Sequence, residues 1–406
     1  RRVGNTVNSG VPLPMGAVKD VAELRLLDEQ GNPVVASIEP RARWLGDRSL
    51  KWVTVHFRTD LPANGKRVLV LATSAAPLPV SELELEQTGN AITVVTGPAK
   101  FVIPTDRFAP FDQVYVRRDT AMAFADVDGI LAKPASVVLV AQNGESRVVA
   151  RTGEYEDEFR TEIAAIDEKR FTQTATVQST AIEERGPGRA VVALKSTFST
   201  SATESLDFTA RLYFFSGSSA AELTFSIRNR QMDDMARFVG IHRLAVELPL
   251  KTAGQPVVSL AVDGERVERR LADSDVQIAQ TQPDTYAVNS ESAEGRYDGW
   301  IRLASDAGTV TSGSRWSWQV HPMGAQVQAD GTVALDLKSA EGERVDLYTA
   351  GAKTHFLFFH FARGPAPDPQ TIAAGTSNPL HAAADPNWYC QQTRVFGDLY
   401  ADNPAL

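Results

Sequence analysis

Two short stretches hold the side chains best suited to acid–base chemistry. "GAKTHFLFFHFARG" carries Lys353, His355, His360 and Arg363, and "SRWSWQVHP" carries Arg315, Trp316, Trp318 and His321. A fixed cation such as Arg315 neutralises a bound carboxylate and makes a neighbouring C–H proton acidic. A base such as Lys353, His355 or His321 removes that proton when it sits within hydrogen-bond reach. Period-two alternation sends Lys353 and His355 to one side of a strand and His360 to the other, so the two histidines cannot share a site. The same alternation in "RWSWQVH" groups Arg315, Ser317, Gln319 and His321 as a polar strip backed by Trp316, Trp318 and Val320. Indole faces of that kind either fill a core or stack on the apolar C–H faces of a ligand. "EGRYDGW" adds Arg296, Tyr297 and Trp300 in a Gly-flanked loop, a second candidate binding edge.

The elements that must position these groups are strands. β-Branched and aromatic runs such as "ITVVTG", "KFVIPT", "RAVVALKSTFS", "LDFTARLYFFSG" and "AELTFSIRN" alternate between turn signals. Those signals are Gly31-Asn32, Asn64-Gly65, Asn143-Gly144, Asp263-Gly264, Asp330-Gly331 and Gly186 to Gly188. Two segments have a helical pattern: "EYEDEFRTEIAAIDEK", with Phe159, Ile163 and Ile166 on one face, and a single turn at "DDMARF". The expected architecture is all-β. Residues 1–80 form a small β-barrel, residues 85–365 a large antiparallel β-sandwich, and residues 366–406 an extended tail. The tail carries Trp388, Tyr389, Phe396, Leu399 and Tyr400, too aromatic for a solvated segment, which suggests a subunit contact.

The 406 residues carry a formal net charge of -9, which excludes the broadly basic surface of a nucleic-acid binder. The single cysteine, Cys390, excludes an internal disulfide and a cysteine zinc site. No apolar run approaches the roughly 18 residues that span a bilayer. His56, His242 and His381 have no metal-ligand spacing, so no metal centre is expected. The acids of "EYEDEFRTEIAAIDEK" could meet Ca²⁺, without a regular ligand pattern to support it. No nucleophile elbow, P-loop or dinucleotide fingerprint occurs.

"SGVPLPMGAVKDVAELRLLDEQGNPV", followed by "RWLGDRSLKWVTVHF", resembles the opening of exo-acting rhamnogalacturonan lyase-like (YetA-like) proteins. The matching positions are Gly10, Val11, Pro12, Pro14, Gly16, Trp44, Asp47, Ser49, Lys51 and Trp52. "GPGRAVVALKSTFS", "SRWSWQVHPMGAQV" and "GAKTHFLFFHF" are similar to strands of that family's β-supersandwich. The resemblance spans most of residues 5–365 and implies a RIFT-type barrel, a supersandwich and either β-elimination on a uronic polysaccharide or binding of one without turnover. The large helical domain of family enzymes is not seen in this sequence. The resemblance therefore implies an extracellular or periplasmic carbohydrate-active protein, with no cofactor and an acidic polysaccharide as partner. The alternative is a non-catalytic subunit of a surface polymer that self-associates through its aromatic tail.

Overall fold

The computed structural model describes residues 1–151, 159–164, 171–199, 204–230, 237–272, 274–397 and 399. The all-β expectation holds. The largest assembly is a set of eighteen antiparallel strands that fold over one another as a sandwich. One layer is built outward from the strand Ala352–Ala362. This strand pairs with Ala220–Asn229 on one side and Gly308–Ser314 on the other. The layer then continues through Glu204–Phe215, Arg189–Ser199 and Phe171–Arg185 at one end, and through Tyr297–Ser305 and Val257–Val262 at the other. The facing layer centres on Arg237–Pro249, which pairs with Ser136–Arg151 and Thr332–Lys338. A separate four-stranded sheet, Glu84 to Val116, lays Ile92, Val94, Phe101 and Val114 against the same core.

The central strand shows why this sequence makes a sandwich. His355, Leu357, Phe359 and Phe361 point between the layers and are buried. On its other face Thr354, Phe356 and His360 are at least partly exposed, but Phe358 is buried beneath a C-terminal helix. A strand apolar on both faces needs cover on both, and the helix supplies the second cover.

The first 73 residues form their own small core. Arg2–Pro12, Leu50–Leu61 and Ala36–Arg43 make a three-stranded sheet, and Leu24–Leu27 pairs with Val70–Thr73. Val7, Leu13, Leu50, Val53, Val55 and Phe57 are buried between them. Three expected turns are confirmed by left-handed backbone: Asn64 at φ 57°, Asp263 at φ 48° and Gly331 at φ 88°.

Several expectations are corrected. The tail is not extended. Pro369–Ser377 is an α-helix whose N-cap Asp368 accepts from the Thr371 amide at 3.0 Å, and Trp388–Gln392 is a π-helical turn. The rings of Trp388, Tyr389 and Phe396 lie on the chain's own N-terminal sheet. The Trp388 indole donates to the Pro12 carbonyl at 2.8 Å, the Tyr389 hydroxyl donates to the Gly10 carbonyl at 3.1 Å, and Phe396 rests 5.8 Å from Trp52. Asn143-Gly144 is not a turn. It runs through the strand Ser136–Arg151, opposite Val239 and Phe238, because a long partner strand offers a complete ladder there. Within the expected acidic helix, Phe159–Ala164 is a strand paired with residues 145–151. The rest of that segment, and residues 231–236 of the expected turn at "DDMARF", lie outside the described residues. Arg237 and Phe238 begin a strand.

Candidate functional site

The structure separates the residues that alternation had grouped. "RWSWQVH" is a run of turns rather than a strand. Trp316 sits at φ 61°, the Val320 amide donates to the Trp316 carbonyl at 2.9 Å, and the Ser317 hydroxyl donates to the Tyr297 carbonyl. The side chains therefore radiate instead of alternating. Trp316 is 41% exposed, with its ring against Phe356 at 5.5 Å and the Arg315 guanidinium 4.3 Å from it. Trp318 instead lies under the Arg296 guanidinium at 4.3 Å, and His321 meets the Trp318 carbonyl through Nδ1 at 3.3 Å. The expected loop around Tyr297 and Trp300 is the strand Tyr297–Ser305, and both rings are 1% exposed. Trp300 is buried with Ile372 and Ala373 of the C-terminal helix, so no ligand reaches it in this conformation.

Lys353 and His355 do share a side, as alternation requires, but they face inward. They border a recess of about 10 Å³ between the layers, with Pro322 and Lys338 on its wall. That is barely room for one water. Burial, and next the Lys353 charge, hold the His355 imidazole at about 3, and burial lowers the Lys353 ammonium as well. Burial takes His360 to about 4. Both histidines are thus neutral in the folded protein and titrate near 6.5 when unfolded. The unfolded chain binds more protons between about pH 3–4 and 6.5, so stability rises with pH across that window and is fully present above it. Thermal melts from pH 4 to pH 7 should show this rise, flattened in His355→Asn. Because the raised Glu39 and Glu222 carboxyls act with the opposite sign in the same window, the difference between wild type and His355→Asn is the measure, and identical pH profiles for the two would contradict it.

A cleft of about 110 Å³ opens on the outer face of the sandwich, where three parts of the chain meet. Thr6 comes from the first strand, and Gly375, Thr376 and Pro379 come from the end of the C-terminal helix and the residues after it. Tyr213, Glu222, Thr224, Arg315 and Phe356 come from the sheet and its adjoining turn. Glu222 and Thr224 share a face of Ala220–Asn229, with Ala221, Leu223 and Phe225 turned to the core. Thr6 Oγ1 donates to Glu222 Oε1 at 3.1 Å, and the Tyr213 and Thr224 hydroxyls lie 3.4 Å apart. Burial raises the Glu222 carboxyl above its ordinary value, opposed by the Thr6 hydrogen bond and the Arg189 charge. Arg315 Nε is buried without a hydrogen-bond partner. A protonatable acid, a phenol and an incompletely paired guanidinium thus line one opening, next to the exposed Trp316 ring.

Of the expected residues, the cleft takes Arg315, with Trp316 beside it. Glu222, Tyr213 and Thr6 were missed by sequence reasoning. The alternation of "AELTFSIRN" marks Glu222 as outward-facing. Nothing in the sequence shows that the first strand and the tail helix close over it.

A second cluster was also missed. Glu39, His56 and Glu184 bring potential ligand atoms within 4.8 Å of one another, beside Arg41 and Arg189. Burial, then contact with Glu184, raises the Glu39 carboxyl to about 7, while burial and the Arg189 charge lower His56 to about 3. Arg189 also lies 5.6 Å from the Tyr213 ring and so adjoins both clusters. Of the tail aromatics, Trp388 and Tyr389 are engaged on the N-terminal sheet. Phe396 and Leu399 remain 57% and 53% exposed, and Tyr400 lies outside the described residues. Among the described residues no helix is long and apolar enough to cross a membrane.

Fold and cleft together define an all-β sandwich protein with a polar, aromatic-edged opening between its sheet and its two ends. Residues 84–256 match the family described as the PcRGLX-like protein central beta sandwich domain, a rhamnogalacturonan lyase-like family. No curated protein matches the chain. Among solved structures it is similar to an alpha-mannosidase from Enterococcus faecalis, at 14% identity and a TM-score of 0.50, over 93% of this chain and 44% of that one. A protein in glycosyl hydrolase family 38 from Enterococcus faecalis follows at 13% identity and a TM-score of 0.47, over 93% and 45%. A galactose mutarotase-like protein from Lactobacillus casei aligns at 10% identity and a TM-score of 0.37, over 67% of this chain and 100% of that one. The chain spans less than half the length of the two Enterococcus proteins, and at 14% identity the likeness to the alpha-mannosidase is one of fold.

Proposed function

We propose that this chain is a carbohydrate-active protein that binds an acidic polysaccharide at the Glu222–Arg315 cleft and cleaves it by β-elimination. The observation that carries this reading is the meeting of Arg315, Glu222 and Tyr213 in one opening edged by Trp316 and Phe356. The match of the central sandwich to a rhamnogalacturonan lyase-like family supports the substrate class. At about 110 Å³ the opening is too small to enclose a sugar ring, so it takes the carboxylate and the adjacent ring edge. The remaining ring lies on the exposed Trp316 face. Arg315 binds the uronate carboxylate and stabilises the charge that develops as the C5 proton leaves. Tyr213, as its phenolate, accepts that proton and becomes the phenol, the C4–C5 double bond forms as the C4–O bond breaks, and the Glu222 carboxyl protonates the departing oxygen.

An extracellular or periplasmic setting suits a polymer of this kind. The alternative reading, a self-associating structural subunit, rests on the aromatic tail. Packing of Trp388, Tyr389 and Phe396 on this chain's own N-terminal sheet weighs against it.

The test is calorimetric titration with acidic and neutral pectic oligosaccharides, together with an ultraviolet assay for the unsaturated product. Arg315→Ala should weaken binding of the acidic ligand by about 1.5–3 kcal/mol, roughly ten- to a hundredfold, as expected for loss of a charged hydrogen bond. Equal affinity for acidic and neutral ligands, or an unaffected Arg315→Ala variant, would remove the cleft from the reading.

A further inference from the structure

We propose that Glu39, His56 and Glu184 form a binding site for a divalent transition-metal ion of the Zn²⁺ class, clamping the N-terminal sheet to the sandwich. Two ligands come from the small sheet: Glu39 on the strand Ala36–Arg43 and His56 on the strand Leu50–Leu61. The third, Glu184, lies at the end of the sandwich strand Phe171–Arg185. The imidazole nitrogen and carboxylate oxygens all lie within 4.8 Å of one another. His56 is 3% exposed, and its Nε2 is buried with no hydrogen-bond partner. A buried, unpaired polar atom needs a physical reason, and an ion at the centre of this triangle supplies one.

Each carboxylate has one oxygen held closely by an arginine and one held loosely. Glu39 commits Oε2 to Arg41 at 2.5 Å, and Glu184 commits Oε2 to Arg189. Their other oxygens stand 3.8 Å from Arg189 and 3.5 Å from Arg41. A proton shared by the two carboxyls would satisfy them and leave His56 unpaired, whereas a metal ion satisfies all three. Mixed nitrogen and carboxylate donors favour Zn²⁺ and its neighbours over Ca²⁺ or Mg²⁺, which prefer oxygen alone. Tetrahedral ligation at about 2.0–2.2 Å sets the donor atoms roughly 3.3–3.6 Å apart, so the triangle, now within 4.8 Å, closes by at most about 1.5 Å. Arg41, with its side chain 48% exposed, can turn to solvent as the ion enters, while Arg189 stays on Glu184 as an outer partner.

The same seam is already fixed by the backbone. The Gly188 and Arg189 amides donate to Ser37 Oγ at 3.0 and 2.8 Å, and a Cβ on Gly188 would stand 2.9 Å from the Ser37 nitrogen. These contacts hold the strand that carries Glu39 against the turn that follows Glu184 before any ion arrives.

The experiment is calorimetric titration of chelator-stripped full chain with ZnCl₂, and with CoCl₂ followed by visible absorption. One ion per chain should bind, and the melting temperature should rise with metal. Glu39→Gln and His56→Ala should each weaken binding by on the order of tenfold or more with unchanged circular dichroism, and His381→Ala should leave it intact. Glu39→Gln decides alone if His56→Ala does not fold. Absence of binding in the wild type would overturn the proposal, leaving a proton or water as the guest. Binding that survives Glu39→Gln would equally overturn it.

Discussion

Glu222→Gln should leave acidic oligosaccharides bound while turnover falls by on the order of 10²–10⁴-fold, the usual contribution of a positioned general acid. Glutamine keeps the shape and can still meet the Thr6 hydroxyl, but it has no proton to give. The wild-type profile carries a sign that tests the assignment. Burial raises the Glu222 carboxyl, so the acid form persists above the ordinary carboxylate range and is lost as pH climbs through the raised value. Turnover should therefore fall on that alkaline side, and Glu222→Gln should erase the fall along with most of the rate. Loss of kcat with binding retained separates a role in the chemical step from one in binding. A Gln variant at full rate would assign the acid to another group, with Tyr213 as the first to examine.

Phe359→Ala should cost about 3–5 kcal/mol, a large share of the roughly 5–15 kcal/mol that holds a domain folded. Phe359 is fully buried at the centre of the sandwich, edge-on to Phe111 at 5.7 Å and opposite Ala221 and Ser312 on the neighbouring strands. The layers on both sides are continuous sheet, so they close poorly over the space a phenyl leaves, and the cavity adds to the lost burial. Phe396→Ala is the control, because a ring 57% exposed contributes far less. Denaturant midpoints measure both. The Phe359 midpoint should drop with an unchanged slope, the signature of altered stability rather than altered compactness. A cost under about 1 kcal/mol would mean the core relaxes freely, contrary to close packing.

The sequence by itself determined the strands and their burial. Alternation in "THFLFFHF" places His355, Leu357, Phe359 and Phe361 on one face, and the structure buries all four. Asn64, Asp263 and Gly331 adopt the left-handed backbone that their turns require. These are local properties, set by the two-residue period of a strand and by steric limits at φ above zero. Where the backbone leaves that period, the inference fails. One left-handed residue at Trp316 scatters "RWSWQVH" and separates Arg315 from His321.

Tertiary structure alone decided what covers what. The helix Pro369–Ser377 buries Trp300, and the rings of Trp388 and Tyr389 settle on the N-terminal sheet instead of a neighbour. Thr6 meets Glu222 across 216 positions, and His56 meets Glu184 across the seam between the two cores. No spacing rule reaches such pairs. They form because separate apolar faces had to be hidden from water, and the polar side chains carried on those faces were brought together by that closure.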